Sequence, residues 1–175
     1  MTDHNQDEIT TALMAAGSDE ERMAGSTFAG VYALMAQAYM QKYKVTEEDL
    51  AAISVKNHYH GSLNPKAQFQ SPITIAHVMK SSKIADPLKL LDCSPISDGA
   101  AAIILTSDDN IKVKKPVYIT ASEIGTDTLS LHDRKSFTSL SAVVNASTKA
   151  YKKAGIKPEN IDVAEIHDCF SIAEV

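Results

Sequence analysis

His167-Asp168-Cys169-Phe170 places an imidazole, a carboxylate and a thiol within three consecutive positions. The string follows an apolar run, Ile161 to Ile166, of strand-like length, and precedes Ser171-Ile172-Ala173-Glu174-Val175, which reads as the opening of a helix with Ser171 near its cap. An α/β sheet collects ligands just beyond the carboxyl ends of its strands, where a helix begins. A thiol close to an imidazole and a helix N-terminus loses its proton more readily, which makes Cys169 a candidate nucleophile or acid/base. His167 is a candidate donor to a developing oxyanion. The same residue types also describe a packed cysteine beside a strand-end histidine with satisfied hydrogen bonds.

The elements that must position this string differ between the two halves of the chain. In the first, Phe28, Val31, Tyr32, Met35, Tyr39 and Tyr43 step by three and four, which predicts a helix capped by Ser26 or Thr27. Thr46-Glu47-Glu48-Asp49 predicts a cap and an acidic first turn of a short helix through Leu50, Ala51 and Ala52, and Thr74 precedes a third helix. Asn64-Pro65 and Ser71-Pro72 mark loops. In the second half, Ala100 to Leu105 is wholly apolar and suits a strand buried on both faces, and Val117 to Ala121 suits a second strand. Leu140, Val143, Val144, Ser147, Ala150, Tyr151 and Ala154 keep helical spacing up to Gly155, and Ile161 to Ile166 is a third strand. This is the pattern of a layered α/β domain. The last residues would form only one helical turn after the third strand, so the expectation is a piece of a longer α/β protein.

The chain has 175 residues, 44% of them hydrophobic, which excludes disordered, collagen-like and coiled-coil classes, and its net charge of −5 argues against a general nucleic-acid or membrane-surface binder. The charge is uneven. Residues 56–89 hold five lysines against one aspartate, while both flanks are acidic, so a polyanionic small ligand would prefer this region unless it is a solvated lysine-bearing loop. Two cysteines are too few for a stapled secreted scaffold, and the polar, acidic start has no secretory pattern; a cytoplasmic setting is expected.

Other candidates weigh less. His58 and His60 would share a face on a strand, but no nearby residues complete a metal site. No metal is expected. Cys93 precedes an apolar strand and reads as a packed thiol, and His132-Asp133-Arg134 as a structural or interface-forming loop. His77, Met35, Met40 and Met79 read as packing residues.

Glu165-Ile166-His167-Asp168-Cys169-Phe170-Ser171-Ile172-Ala173-Glu174 resembles the His-Asp-Cys-Phe motif of thiolases of the archaeal acetyl-CoA acetyltransferase and sterol-carrier-protein type. Tyr32-Ala33-Leu34-Met35-Ala36, Val55-Lys56-Asn57-His58, Asn64-Pro65-Lys66-Ala67-Gln68-Phe69, Asp92 to Ala100 and Leu131-His132-Asp133-Arg134 resemble the same family in the same order. The resemblance implies Claisen chemistry on acyl-CoA thioesters, with Cys169 as acid/base, His167 in the enolate oxyanion hole, Phe170 packed beside them and Ser94 touching the pantetheine arm of CoA. It implies a thiolase-like layered α/β fold, incomplete. Residues 1–92 would be the helical loop domain covering CoA, 93–113 the last strand of the N-terminal half with its linker, and 114–175 the beginning of the C-terminal half.

The family's nucleophilic cysteine segment and its downstream Gly-His and Cys-x-Gly segments have no counterpart in this sequence, so the chain alone is not expected to be active. CoA thioesters would be substrates, with no cofactor. The resemblance also implies a homo-oligomer and, as in archaeal relatives of the mevalonate pathway, HMG-CoA synthase and an OB-fold scaffold protein as partners, with no nucleic acid or membrane. A non-catalytic CoA-binding or scaffold subunit is the alternative.

Overall fold

The computed structural model describes residues 4–107, 112 and 114–175. Its helices are α1 (Gln6–Met14), α2 (Asp19–Met23), α3 (Phe28–Tyr43), α4 (Glu47–Ser62), α5 (Ile75–Lys80) and α6 (Ser141–Ala154). Strands β1 (Lys83–Ala85) and β2 (Leu88–Lys89) form an antiparallel pair.

The helix starts follow local chemistry. The Thr27 side chain accepts from the Gly30 N–H, and Thr46 and Asp49 cap each other's amides at the head of α4. Thr74 does the same with His77 at the head of α5. Gly155 ends α6 at φ 69°, its N–H reaching Tyr151 O at 2.9 Å, a left-handed cap that suits glycine. Helix α4 runs well past Ala52, however, to Ser62. Lys56, Asn57, His58 and His60 therefore lie on a helix and not in a loop, and two residues apart on a helix they do not share a face.

The core is where α3, α4, β2 and the 3₁₀ turn Ser171–Ala173 meet: Ala33, Ala36, Leu50, Leu88 and Ile172 are buried together, with Tyr32, Tyr39, Met40 and Phe170 packed against them. Small residues on α3 let α4 and the turn approach closely. Ile172 thus anchors the end of the chain in a core that the first half builds. Ser171 is buried, and the expected helix opening is this one 3₁₀ turn.

The three runs expected as strands differ from expectation. Ala100 to Leu105, Val117 to Ala121 and Ile161 to Ile166 carry no ladder among the described residues. Their side chains face solvent, Ile104 at 95% and Val117 at 94% exposure. The physical reason is that an apolar strand is stable only between neighbours that take its hydrogen bonds and cover its faces, and no described segment of this chain does so. Helix α6 accordingly keeps its amphipathic pattern but buries no residue, and Val143 and Val144 stay exposed. The architecture is a packed helical part with a two-stranded sheet, and the strand runs of the expected layered α/β fold stay unpaired among the described residues. Residues 108–111 and 113 of the expected 93–113 segment lie outside the described residues.

Candidate active site

The His-Asp-Cys-Phe string is held from several directions. The Ser94 N–H donates to Cys169 O at 2.9 Å, and Cys93 and Phe170 form an antiparallel bridge. Two strings expected to act together, 77 residues apart by the numbering of Asp92 and Cys169, are thereby laid side by side. On one flank the Asn57 amide donates to the Asp168 carboxylate, and the adjacent Lys56 pairs with Glu174. Consecutive residues of α4 thus grip both ends of the segment 168–174. On the other flank the rings of Tyr32 and Phe170 pack with centroids 4.6 Å apart, an arrangement worth about 1 kcal/mol beyond its area.

Beneath the string lies a buried polar knot. Asp92 accepts from Ser171 Oγ at 3.0 Å and from the Lys89 N–H at 2.9 Å, and the Lys89 ammonium, its side chain 8% exposed, pairs with Glu47. A buried charge with a hydrogen-bonded partner is tolerated, and one stripped of its partner is strongly destabilising.

The structure places the sequence-based candidates in different surroundings. Cys169 is half-buried beside Ser94, Tyr32 and Cys93. Ser94 is exposed and lines a polar cleft of about 200 Å³ with Ser54, Asn57, His58, Asp168 and Ser171. His167 is exposed and lines none of the clefts described among these residues. His58 stacks on Phe69 with its Nδ1 3.3 Å from Ser71 O, a packing role. Arg134 places its Nη1 3.4 Å from Met35 Sδ, and Glu21 ties the preceding turn to α2 by accepting the Leu131 N–H at 2.7 Å. That bond, the largest influence on Glu21, holds its carboxyl below the usual range.

The basic stretch is also less available than its composition implies. Of its five lysines, Lys56, Lys83 and Lys89 already pair with Glu174, Asp86 and Glu47. Lys66 and Lys80 are exposed.

Cys93 is half-buried with its Sγ 3.3 Å from Lys89 O. Burial, then the charges of Asp92 and Cys169, push its thiol up to about 11. It should therefore resist iodoacetamide near neutral pH and become reactive only toward pH 11, read by mass mapping of the labelled peptide. Because the folded thiol is the weaker acid, the stability linked to it is intact below about pH 9 and falls as pH rises toward 11. Ready labelling of Cys93 at neutral pH would contradict this.

Comparison with known proteins decides the family. The description "Thiolase, N-terminal domain" matches residues 1–109, and "Thiolase C-terminal domain-like" matches residues 124–175. The chain belongs to the thiolase family. This thiolase chain is 49% identical over 166 residues to an acetyl-CoA acetyltransferase of Methanothermobacter thermautotrophicus, covering 93% of this chain and 43% of that protein. It is 40% identical over 151 residues to sterol carrier protein 2 of Gallus gallus, covering 82% of this chain and 28% of that protein. Among solved structures it resembles a chain of the Ltp2-ChsH2(DUF35) aldolase, with a TM-score of 0.78 and 27% identity over 90% of this chain and 45% of that one. The chain therefore spans less than half the length of these thiolase relatives. Both arms of the resemblance drawn from the His-Asp-Cys-Phe string, archaeal and sterol-carrier type, are present among them.

Asn57 and Asp92 are site residues that residue-type reasoning passed over, and Asp168, singled out with its neighbours, was given no partner. Asn57 lay inside a matched string, but its partner 111 residues away leaves no trace in spacing.

Proposed function

We propose that this chain forms the CoA-covering and acid/base portion of a thiolase that transfers acetyl groups between CoA thioesters, by Claisen condensation or its reverse. The observation that carries the reading is the Ser94 N–H to Cys169 O bond, which sets the string assigned to pantetheine against the string assigned to proton transfer. In the condensing direction, Cys169 takes an α-proton from the acetyl group, His167 donates to the resulting enolate oxygen, and the enolate carbon attacks a second acyl thioester carbonyl with expulsion of a thiolate. Ser94 positions the pantetheine arm at the mouth of the polar cleft.

The exposed position of His167 fits this role, because an oxyanion donor must face the substrate and not the core. The acyl donor is written as a CoA thioester because exposed Lys66 and Lys80 leave cationic side chains for its phosphates, although fewer than the composition promised. No cofactor is invoked. Exposed strand runs and an uncovered α6 support association with further thiolase-fold polypeptide, a second copy included. HMG-CoA synthase and an OB-fold scaffold protein remain the partners this reading would place nearby.

The test joins this chain to the remaining family segments and follows thiolysis of acetoacetyl-CoA by CoA. Turnover to acetyl-CoA is the expected result. CoA binding without turnover would replace this reading with that of a non-catalytic CoA-binding subunit.

A further inference from the structure

We propose that Asn57 is a positioning residue for Cys169: by donating to the Asp168 carboxylate it pins the residue before the thiol to α4, and so sets the direction in which the string presents its sulfur. The inference rests on the reading of Cys169 as the acid/base thiol and adds a residue that acts on it through a neighbour.

Cys169 is held by what flanks it. The residue before it is tied to α4 by the Asn57–Asp168 hydrogen bond, the residue after it packs its ring on Tyr32 of α3 at 4.6 Å, and its own carbonyl accepts the Ser94 N–H at 2.9 Å. The chain bends at Cys169 between these anchors. With both neighbours and the carbonyl fixed, rotation about the Cα–Cβ bond is the freedom left to the thiol.

Asn57 is the anchor that can be removed without touching the core or the backbone. Phe170 packs against the buried cluster, and the Ser94 bond is made by the main chain. Leu50 and Ser54 are buried on α4, and Asn57 continues their stripe by one turn, so the helix sets its register. An amide suits the task, because a neutral donor holds the carboxylate without cancelling its charge. The adjacent Lys56 is paired with Glu174 instead.

Asn57→Asp sets two carboxylates against each other, and adding Asp168→Asn restores the hydrogen bond with donor and acceptor exchanged. Amide hydrogen exchange of this chain reads the anchor without any turnover. In Asn57→Asp the Ser94 amide should exchange about tenfold faster, the worth of one hydrogen bond to a charged group, and the exchanged pair should return it to the parent rate. The Gly155 amide, at the end of α6, is the reference and should not change. In the protein carrying the remaining family segments, Asn57→Asp should lower kcat for acetoacetyl-CoA thiolysis about tenfold with KM for CoA within about twofold, and the exchanged pair should recover most of the kcat.

Unchanged Ser94 exchange in Asn57→Asp would overturn the proposal, as would an exchanged pair no better than Asn57→Asp alone. A rise in KM at unchanged kcat would overturn it too, since that reports direct contact with substrate. A Cys169→Ala enzyme that keeps its turnover would overturn the acid/base reading and leave the anchoring of the string by Asn57 intact.

Discussion

Asp92→Ala should lower stability by about 3 kcal/mol, because two buried donors lose their acceptor at once. Ser171, 3% exposed, and the amide of Lys89, 6% exposed, both donate to this carboxylate, and neither can turn to water. Lys89 would also lose a negative neighbour, leaving Glu47 as its ion-pair partner. Asp92→Asn keeps an acceptor oxygen and should cost roughly half as much. Ser171→Ala should cost less still, and the double variant should fall short of the sum, since one contact is shared. Denaturant titration followed by circular dichroism measures these differences. The substitution should also speed hydrogen exchange at the Ser94 amide, since Ser94 follows the knot directly and bonds to Cys169 O. A cost under about 0.5 kcal/mol would mean that the knot does not hold the site.

Cys169→Ala should reduce acetoacetyl-CoA thiolysis by about 10²–10⁴-fold in a protein carrying the remaining family segments, the usual range for loss of a positioned acid/base. His167→Ala should reduce it by about 10²–10³-fold, the usual cost of one oxyanion donor. The two variants should not combine multiplicatively, because both act on the same enolate-forming step. Neither should alter stability much. His167 is exposed, and the Cys169 bond to Ser94 is made by its backbone carbonyl and survives the substitution. Denaturant midpoints close to the parent's, alongside the activity loss, would separate chemistry from folding.

Local features were the most legible in the sequence. Thr27, Thr46, Thr74 and Gly155 mark helix ends by side-chain or backbone chemistry confined to three or four residues, and each does so in the structure. The length of α4 was missed because Asn57, His58 and His60 read as turn and ligand types, whereas the helix runs on to Ser62 with Lys56, Asn57 and His58 held by Glu174, Asp168 and Phe69. The Lys83–Ala85 and Leu88–Lys89 hairpin was missed too: five strand residues are too few for a periodic signal. Ala100 to Leu105, Val117 to Ala121 and Ile161 to Ile166 show the converse, with strand composition but no ladder among the described residues. Composition declares a preference for pairing, and pairing itself depends on a neighbour.

The site divides the same way. Cys169 and His167 were singled out by residue type and Ser94 by the resemblance; the structure sets the Ser94 amide against the Cys169 carbonyl and leaves His167 exposed. The roles of Asn57 and Asp92 were not legible, because each works through a partner far along the chain, Asn57 through Asp168 and Asp92 through Ser171, at separations of 111 and 79. Net charge misled in a related manner. The lysine-rich stretch looked free for a polyanion, yet Lys56 and Lys89 are spent on Glu174 and Glu47, which come from acidic segments on either side of it.

In the proposed reaction Cys169 moves the α-proton of an acyl-CoA thioester. Its most direct measurement is the exchange of acetyl-CoA methyl protons with heavy water, followed by mass spectrometry, in the protein carrying the remaining family segments. Exchange is expected in the parent and its loss in Cys169→Ala; equal exchange in the two would contradict that role.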